Sequence, residues 1–286
     1  MIHRFSHLIQ SAATTLVVCA LFLSLTAPAS AMGWRQQSVD LSDKTILVAG
    51  ASGRAGRYVI RHLKDQGLTI KSLTRSEERA IERWGEDYRD MNWVEGDVRD
   101  ADRMMEVMDG VDMVISVVGS RDREGPNGPE FVDYGGVVNL VDAAVANDVE
   151  HFVLLTALGA SDPKHPLNKV LGDALTWRFK GEEHLRASGL AYTIIRPTGL
   201  VDTPTGEKGV SIVQGDKWKD IFRGTISRDD LALVFIETLR NPNAHNTTFE
   251  IVNRDDLEPG TWKDQINQLM NDDDLAKQLA EESAQP

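Results

Sequence analysis

The sequence predicts a single α/β domain in which helices cover both faces of one doubly wound parallel sheet. Short β-branched runs alternate with helical patterns from Lys44 to about residue 253. These runs are apolar nearly throughout, which is typical of strands buried on both faces of a parallel sheet. Strict alternation of strand and helix predicts parallel strands joined by helical crossovers. The 286 residues, of which 41% are apolar, are enough for a sizeable core.

Each predicted element has its own local pattern. The strands are short runs rich in β-branched residues at 45–49, 69–73, 91–94, 111–118, 152–156, 192–195 and 248–252. The helices have apolar residues three and four positions apart and cover 54–66, 100–110, 135–148, 169–189 and 228–240.

The first 31 residues have the pattern of a cleavable export signal. Arg4 precedes the apolar stretch 16–25, and Ala29-Ser30-Ala31 forms a small-x-small cleavage site. We therefore expect a signal peptide at 1–31 and export to a periplasm, a thylakoid lumen or the outside of the cell. The alternative is an uncleaved segment that anchors the protein to a membrane, although the apolar stretch is short for a span. Cys19, the only cysteine, lies in this segment, so the mature chain would have no disulfide and no catalytic thiol.

Changes in composition indicate where the predicted domain begins and ends. Residues 32–43 are polar and are interpreted as a linker, and the predicted domain covers 44–255. Residues 256–286 form an acidic, polar tail that we expect to be frayed. Within it, the apolar residues of 262–270 predict one short amphipathic helix.

The charge and the histidine pattern argue against several classes of partner. A net charge of −13 argues against nucleic acid or an anionic membrane surface as the main partner. The histidines after the signal, at 62, 151, 165, 184 and 245, show no metal-ligand spacing, so no metal site is predicted. We expect a small-molecule substrate, and the sequence leaves monomer and homodimer open.

A glycine-rich turn follows the first predicted strand and opens the first predicted helix. Its glycines are Gly50, Gly53 and Gly56. The first permits a tight turn, the second lets the backbone approach a pyrophosphate, and the third lets the helix pack closely on the strand. The free N–H groups of the helix N-terminus would then face the phosphates. In this strand–turn–helix context the motif predicts a Rossmann-type dinucleotide site.

The end of the second strand indicates which dinucleotide binds. An NAD site usually has an acid there for the ribose hydroxyls. Here the strand ends in Thr74-Arg75, and the first acid is Glu77. A second guanidinium, that of Arg54, lies in the glycine turn. Because arginine pairs well with phosphate, these residues favour the 2′-phosphate of NADP.

Seven segments then carry a family resemblance. In order along the chain they read AGASGRAG, LTRSEE, EGDVRD, VDYGGVVNLVDAA, LTALGA, FKGEEHLRASGLAYTIIRP and GTISRDDLA. The sequence resembles the atypical short-chain dehydrogenase/reductase group, in its NAD(P)-binding, NmrA-like branch with biliverdin reductase B-like and Tic62-like proteins. The resemblance covers about residues 44–253. It implies a Rossmann-type fold and an NADP cofactor, whereas members of the group include reductases, redox sensors and assembly factors.

The resemblance also implies cofactor-binding positions at the carboxyl ends of strands, where open α/β sheets bind ligands. Those expected along the pyrophosphate and the 2′-phosphate are Gly50, Ser52, Gly53, Arg54, Gly56 and Arg75. Those expected at the adenine, its ribose and the linker are Asp97, Val98, Val118 and Gly119. Those expected at the nicotinamide and its ribose are Thr156, Ala157, Lys180, Pro197 and Thr198.

The sequence departs from the superfamily at its catalytic Tyr-x-x-x-Lys motif. Lys180 stands in the lysine position, where the resemblance implies that it holds the ribose, but Thr176 replaces the tyrosine. An aliphatic hydroxyl is a far weaker acid than a phenol, so classical carbonyl reduction lacks its proton donor. Tyr134 is the best substitute donor, although it would equally cap and pack the fourth helix.

Two functional hypotheses remain from the sequence. The first is an NADP(H)-dependent oxidoreductase that transfers hydride to a small or aromatic acceptor, such as a quinone or a flavin, without the tyrosine. The second is a non-catalytic NADP-binding protein that senses the cofactor or helps to assemble a membrane complex.

Overall fold

The computed structural model describes residues 37–216 and 224–284, and the structural statements below refer to these residues. The expected signal peptide at 1–31 lies outside the described residues. Within the described ranges, no helix is long and apolar enough to cross a membrane.

A mostly parallel eight-stranded sheet forms the centre of the fold, as the sequence predicts. The strands are β1 Thr45–Ala49, β2 Thr69–Thr74, β3 Trp93–Glu95, β4 Met113–Ser116, β5 His151–Leu155, β6 Tyr192–Pro197, β7 Gly199–Val201, β8 Gly209–Val213, β9 Thr225–Ser227 and β10 Thr247–Arg254. The order in the sheet is β3-β2-β1-β4-β5-β6-β10-β8, and among these described strands only β8 is antiparallel to its neighbour. A separate pair, β7 and β9, is parallel.

Helices connect the strands. They are α1 Gly56–Asp65, α2 Glu77–Trp84, α3 Ala101–Met108, α4 Gly136–Ala146, α5 Pro166–Leu171, α6 Ala174–Ala187, α7 Arg228–Arg240, α8 Trp262–Ile266 and α9 Asp272–Ala284. A π-helical segment, Glu130–Gly135, leads into α4.

Both faces of the sheet are buried, which confirms the doubly wound prediction. On β1, Ile46 and Val48 pack in the core cluster that includes buried residues of α1 and α7. The alternate residues, Leu47 and Ala49, pack in the other cluster with buried residues of α3, α4 and α6. Successive residues of one strand therefore pack into the core clusters on opposite faces of the sheet, because side chains alternate across a strand.

The structure differs from the predicted elements in several places, and one whole helix, α2, is absent from the prediction. The helix expected over 169–189 is interrupted between α5 and α6, where Gly172 (φ +62°) and Asp173 (φ +55°) are both left-handed. Three strands, β7, β8 and β9, are absent from the prediction. Two of them, β7 and β9, have only three residues each and therefore cannot show an alternating pattern.

The acidic tail is partly packed. Trp262 and Ile266 of α8 are buried in the core, with 5% and 0% of their surface exposed. Gln265 fixes α8 to β8, since its amide donates to the Val210 carbonyl (2.9 Å) and accepts from the Ile212 N–H (2.8 Å). The packed domain thus continues beyond the expected boundary at 255. The single helix expected over 262–270 is shorter, and the next helix, α9, has no buried residue.

Candidate functional site

A cleft of about 570 Å³ lies at the carboxyl edge of the sheet. Its walls come from the segments that follow β1, β2, β3, β4 and β5. The strand order reverses between β1 and β4, so the cleft lies at the topological switch point where doubly wound sheets bind their ligands.

The glycine turn leaves no room for side chains. A Cβ on Gly50, which has φ +84°, would lie 3.0 Å from the Val117 carbonyl oxygen. A Cβ on Gly53 would lie 2.9 Å from the Gly50 carbonyl oxygen, and one on Gly56 would lie 2.7 Å from Cα of Ala51. The backbone therefore borders the cleft directly beside the N-terminus of α1. This cradle fits the pyrophosphate of a dinucleotide.

The cleft is strongly cationic although the chain as a whole carries a net charge of −13. Its lining contains two aspartates, Asp97 and Asp122. Its lining also contains eight arginines: Arg54, Arg75, Arg79, Arg83, Arg99, Arg121, Arg178 and Arg228. Such a concentration of guanidinium groups fits a polyanionic ligand.

Four of these arginines already have a carboxylate partner. Arg99 pairs with Asp97, with Nη2 and Oδ2 2.6 Å apart. Arg178 pairs with Asp133, and Arg54 and Arg228 both pair with Asp202.

The other four, Arg75, Arg79, Arg83 and Arg121, have no carboxylate within 4.0 Å among the described residues. Desolvation lowers the pKa of the Arg121 guanidinium, and the charges of Arg83, Arg75 and Arg54 lower it further. Uncompensated positive charge is therefore concentrated beside the end of β2.

The carboxyl end of β2 has no acid where a ribose hydroxyl would need one. The Thr74 hydroxyl donates to Oγ of Ser52, at 2.8 Å. Ser76 caps α2 by accepting from the Arg79 N–H. Across the cleft, Asp97 accepts from the guanidinium of Arg99, which lowers the pKa of the Asp97 carboxyl.

The other half of the cleft, at the ends of β4 and β5, is built around Thr156 and Arg178. Nη1 of Arg178 donates to the Thr156 carbonyl oxygen at 3.4 Å, and Nε donates to Oδ1 of Asp133 at 2.7 Å. The Thr156 hydroxyl donates to Oε1 of Glu182 at 2.7 Å, so its proton points into the protein. Apolar residues, among them Leu155 and Leu200, complete this half.

A buried charged network supports Thr156 from behind. Glu182 has no exposed surface and accepts from Nε (3.0 Å) and Nη2 (2.6 Å) of Arg196. Arg186 also donates to Glu182, at 3.1 Å. Arg196 is only 4% exposed, so its ion pair with Glu182 is part of the protein interior. Burial raises the pKa of the neighbouring Glu250 carboxyl to about 7, and the charge of Asp216 adds to the effect.

The structure brings ten of the expected cofactor positions to the cleft lining. They are Gly50, Ser52, Gly53, Arg54, Arg75, Asp97, Val98, Val118, Gly119 and Thr156. The other five, Gly56, Ala157, Lys180, Pro197 and Thr198, are not part of that surface. Gly56 lies beneath the turn, and the Thr198 backbone N–H donates to the carbonyl of Ile251 at 3.2 Å. The contacts proposed for these residues stay predictions.

Neither predicted catalytic residue lines the cleft. Lys180 is exposed, and its Nζ lies 3.8 Å from the ring centroid of Trp177. Tyr134 packs on the same tryptophan, with ring centroids 5.8 Å apart. The Thr176 hydroxyl accepts from the amide of Asn168 at 3.0 Å.

Arg178 reaches the cleft instead, although sequence reasoning did not single it out. Residues two apart on a helix lie about 200° apart around its axis, so Arg178 and Lys180 face different ways. Nothing in the Tyr-x-x-x-Lys spacing points to Arg178. The pair Arg79 and Arg83 was also missed, although their spacing of four on α2 is a usable signal for two cations on one helix face.

His165 caps α5, where its Nδ1 accepts from the Leu167 N–H at 3.1 Å, and it does not line the cleft. Among the described residues there is no group of three or more histidine, cysteine or acidic side chains placed to hold a metal ion.

Comparison with known proteins agrees with this geometry. A family model described as NAD(P)H-binding matches residues 50–242. The chain is 30% identical over 237 residues to protein TIC 62, chloroplastic, of Pisum sativum, covering 76% of this chain but only 44% of that protein. It is 28% identical over 244 residues to sanguinarine reductase of Eschscholzia californica, covering 72% of this chain and 88% of that protein.

A solved structure shows the same fold. The putative NAD-dependent epimerase/dehydratase of Bacillus halodurans superposes with a TM-score of 0.67 and 25% identity, covering 79% of this chain and 100% of that one. The family match includes the glycine turn and the segments after β2, β3, β4 and β5 that form the cleft. The chain therefore belongs to the NAD(P)H-binding family and is an NAD(P)-binding oxidoreductase of the atypical short-chain dehydrogenase/reductase type.

Proposed function

We propose that this protein is an NADPH-dependent reductase that transfers hydride to a quinone-like or flavin-like acceptor without a tyrosine proton donor. The observation that carries the proposal is the composition of the cleft. Its half at the end of β2 has arginines and no free acid, and its lining contains no tyrosine, histidine, cysteine or lysine among the described residues. The arginines and the lack of a free acid indicate which cofactor binds. The lack of a proton-donating side chain indicates which class of acceptor is reduced.

The preference for NADPH rests on the residues around the end of β2. Arg75 follows this strand directly, and Arg79 is on the first turn of α2. Both lie beside the place where the ribose 2′ position of a Rossmann-bound dinucleotide is read. A 2′-phosphate would pair with these guanidinium groups, whereas the 2′-hydroxyl of NADH would find no carboxylate acceptor. Asp97, an acid of the cleft lining, is engaged by Arg99.

The class of acceptor follows from the missing proton donor. Reduction of a simple ketone gives an alkoxide, a strong base that needs an acid close by in the transition state. Thr176 and Tyr134, the two hydroxyl candidates, do not line the cleft. A quinone or a flavin spreads the incoming negative charge over a conjugated ring, so water can supply the proton afterwards. The name of one relative, sanguinarine reductase, supports a reductase activity.

We also propose that the protein is exported or attached to a membrane. The Ala29-Ser30-Ala31 pattern supports export, and the name of the relative TIC 62 describes that protein as chloroplastic. A thylakoid-type compartment, or attachment to its membrane through an uncleaved N-terminal segment, would accommodate both observations. Recovery of full-length protein beginning at Met1 from a soluble cytosolic fraction would contradict export.

A second candidate function is supported by the same lack of a proton donor. A protein that binds NADP without turnover needs the cationic half of the cleft but no catalytic acid. This protein would then sense the cofactor or help to assemble a membrane complex.

The test is NADPH oxidation with a panel of ketones, quinones and flavins, under anaerobic conditions so that reduced quinones do not react with oxygen. We expect turnover with quinones or flavins and little with ketones, and we expect Thr176→Ala to retain nearly full activity. Strong ketone reduction that collapses in Thr176→Ala would overturn this account. Tight NADPH binding without turnover on any acceptor would favour the sensor or assembly role.

A further inference from the structure

Arg178 of α6 is placed between the ends of two strands. Its side chain is 27% exposed and lines the cleft beside Gly119, which follows β4, and Thr156, which follows β5. A Cβ added to Gly119 would lie 3.3 Å from Nη2 of Arg178, so the guanidinium passes directly over this glycine.

The guanidinium is held in place without any ligand. Its Nε donates to Oδ1 of Asp133 at 2.7 Å, and the Asp133 side chain is only 1% exposed. The other oxygen of that carboxylate accepts from the Ser120 N–H at 2.8 Å. Nη1 donates to the Thr156 carbonyl, and the Thr156 hydroxyl is itself fixed by Glu182. A charge held this firmly is preorganised, since no rearrangement is needed when a ligand arrives.

The topology decides which part of a bound dinucleotide meets this residue. The pyrophosphate belongs at the N-terminus of α1, at the switch point, and the 2′ position belongs beside the end of β2. The hydride-donating half then extends the other way, past the end of β4, where the linker is expected, and over the end of β5. Gly119 lies at the first of these strand ends, and Thr156 and Arg178 lie together at the second.

We propose that Arg178 binds the carbonyl oxygen of the hydride acceptor and stabilises the negative charge that develops there. This inference rests on the proposed reductase function. The acceptor gains the hydride with its electron pair as the C–H bond of the reduced cofactor breaks, and its oxygen becomes anionic. Water then protonates that oxygen. Arginine does not release its proton in proteins, so Arg178 supplies charge and hydrogen bonds but no proton.

Asp133 acts as a positioning residue in this account. It touches neither acceptor nor cofactor, and it orients Arg178 through Nε while leaving Nη2 toward the cleft. Acceptors without a polarisable carbonyl oxygen would gain nothing from Arg178. The inferred acceptor class is therefore a quinone-type compound that is reduced to an oxyanion.

The first test compares Arg178→Gln with the wild type in NADPH-dependent quinone reduction. We expect kcat to fall by about a hundredfold to a thousandfold, as when one preorganised oxyanion donor is removed. The KM for quinone and the Kd for NADPH should change little, and added guanidinium ion should restore part of the activity. Lys169→Gln, which removes an exposed cation of α5 outside the cleft, should behave as wild type. Unchanged kcat in Arg178→Gln, or a loss explained fully by weaker NADPH binding, would overturn the inference.

A second variant separates chemistry from stability. Arg178→Gln leaves the buried Asp133 carboxylate without its cation, which is destabilising. In the double variant Arg178→Gln/Asp133→Asn both charges are gone, so the thermal midpoint should recover while kcat stays low. Recovery of kcat together with stability would show that Arg178 is only structural.

A binding measurement distinguishes failure of this inference from failure of the proposed function. The probe is the anion of 2-hydroxy-1,4-naphthoquinone, titrated onto protein saturated with NADP⁺. We expect the wild type to bind it about tenfold to a hundredfold more tightly than Arg178→Gln, the range for a charge-assisted hydrogen bond. If the wild type oxidises no NADPH, the reductase function fails, and this difference alone then decides whether Arg178 binds an anionic oxygen. Equal affinities would overturn the inference.

Discussion

Arg54 of the glycine turn and Asp202, the residue after β7, form an ion pair with Nη2 and Oδ2 2.7 Å apart. Asp202 also accepts from Nη1 of Arg228 at 3.0 Å and lies 3.7 Å from Nη2 of Arg57. One carboxylate thus compensates several cations beside the cradle for pyrophosphate. Because the Arg54 side chain is 56% exposed, an incoming phosphate can compete with Asp202 for it.

We therefore expect Asp202→Asn to bind NADP⁺ more tightly than the wild type. The gain should be at most about fivefold, since exposed ion pairs contribute roughly 1 kcal/mol or less. Calorimetric titration measures it, and raising the salt concentration should reduce it. Asp65→Asn, at the far end of α1, is the matched control and should leave affinity unchanged. Equal affinity of Asp202→Asn and wild type would mean that Arg54 does not meet the cofactor.

Replacing Arg75 tests the cofactor preference. Arg75→Ala should weaken NADP⁺ binding by roughly tenfold to a hundredfold, the value of one charge-assisted contact with phosphate, and should leave NAD⁺ binding nearly unchanged. Arg89→Ala removes an arginine that pairs with Glu86 outside the cleft, and it should change neither affinity. Wild-type protein that binds NAD⁺ and NADP⁺ equally would rule out the preference.

Two glycine-to-alanine variants test the cradle. In Gly56→Ala the new Cβ would lie 2.7 Å from Cα of Ala51, so the turn must shift, at a cost of about 1–3 kcal/mol. Gly135 has helical φ (−56°), and its nearest neighbour for a Cβ is 3.5 Å away. Gly135→Ala should therefore be neutral or slightly stabilising. Thermal unfolding with and without NADP⁺ checks both, and similar midpoints for the two variants would contradict the packing at Gly56.

The buried carboxyl of Glu250 predicts a particular pH dependence of stability. Its pKa is raised from 4.5 to about 7 by burial and by Asp216, against the opposing charge of Arg196, with Glu182 also nearby. The folded state thus holds a proton that the unfolded state has lost, so stability falls as pH rises from about 4.5 through 7.

Glu250→Gln removes this titration. From pH 4 to pH 8 the variant should gain roughly 3 kcal/mol in unfolding free energy relative to the wild type. Urea denaturation at several pH values measures the difference. Parallel stability curves for variant and wild type would show that Glu250 does not titrate in this window.

The fold could be predicted because its signals are local and repeated. Strand β1 and helix α7 begin and end at the residues predicted from the sequence. The small pair β7–β9 could not be predicted, because three-residue strands are defined by their partners rather than by their own pattern. The apolar residues of 262–270 predict a helix, but they do not predict that Trp262 packs in the core of the domain, because its partners lie elsewhere in the chain.

The candidate site was predicted unevenly. The glycine turn has a spacing that follows from backbone geometry, and Gly50 and Gly53 line the cleft. The role expected for Lys180 stays a prediction, because the motif fixes a spacing but not which face of α6 meets the cleft. Only the packing of α6, with Arg178 tied to Asp133, shows that Lys180 faces solvent beside Trp177.

The most direct test of hydride transfer within this cleft is a primary isotope effect. NADPH carrying deuterium at C4 on one face or on the other is oxidised by the wild-type protein with a naphthoquinone, under anaerobic conditions and in single turnover. We predict slower oxidation with deuterium on one face only, because the cleft fixes one face of the nicotinamide toward the acceptor. Equal rates for both deuterated forms and for unlabelled NADPH in that single turnover would contradict the account.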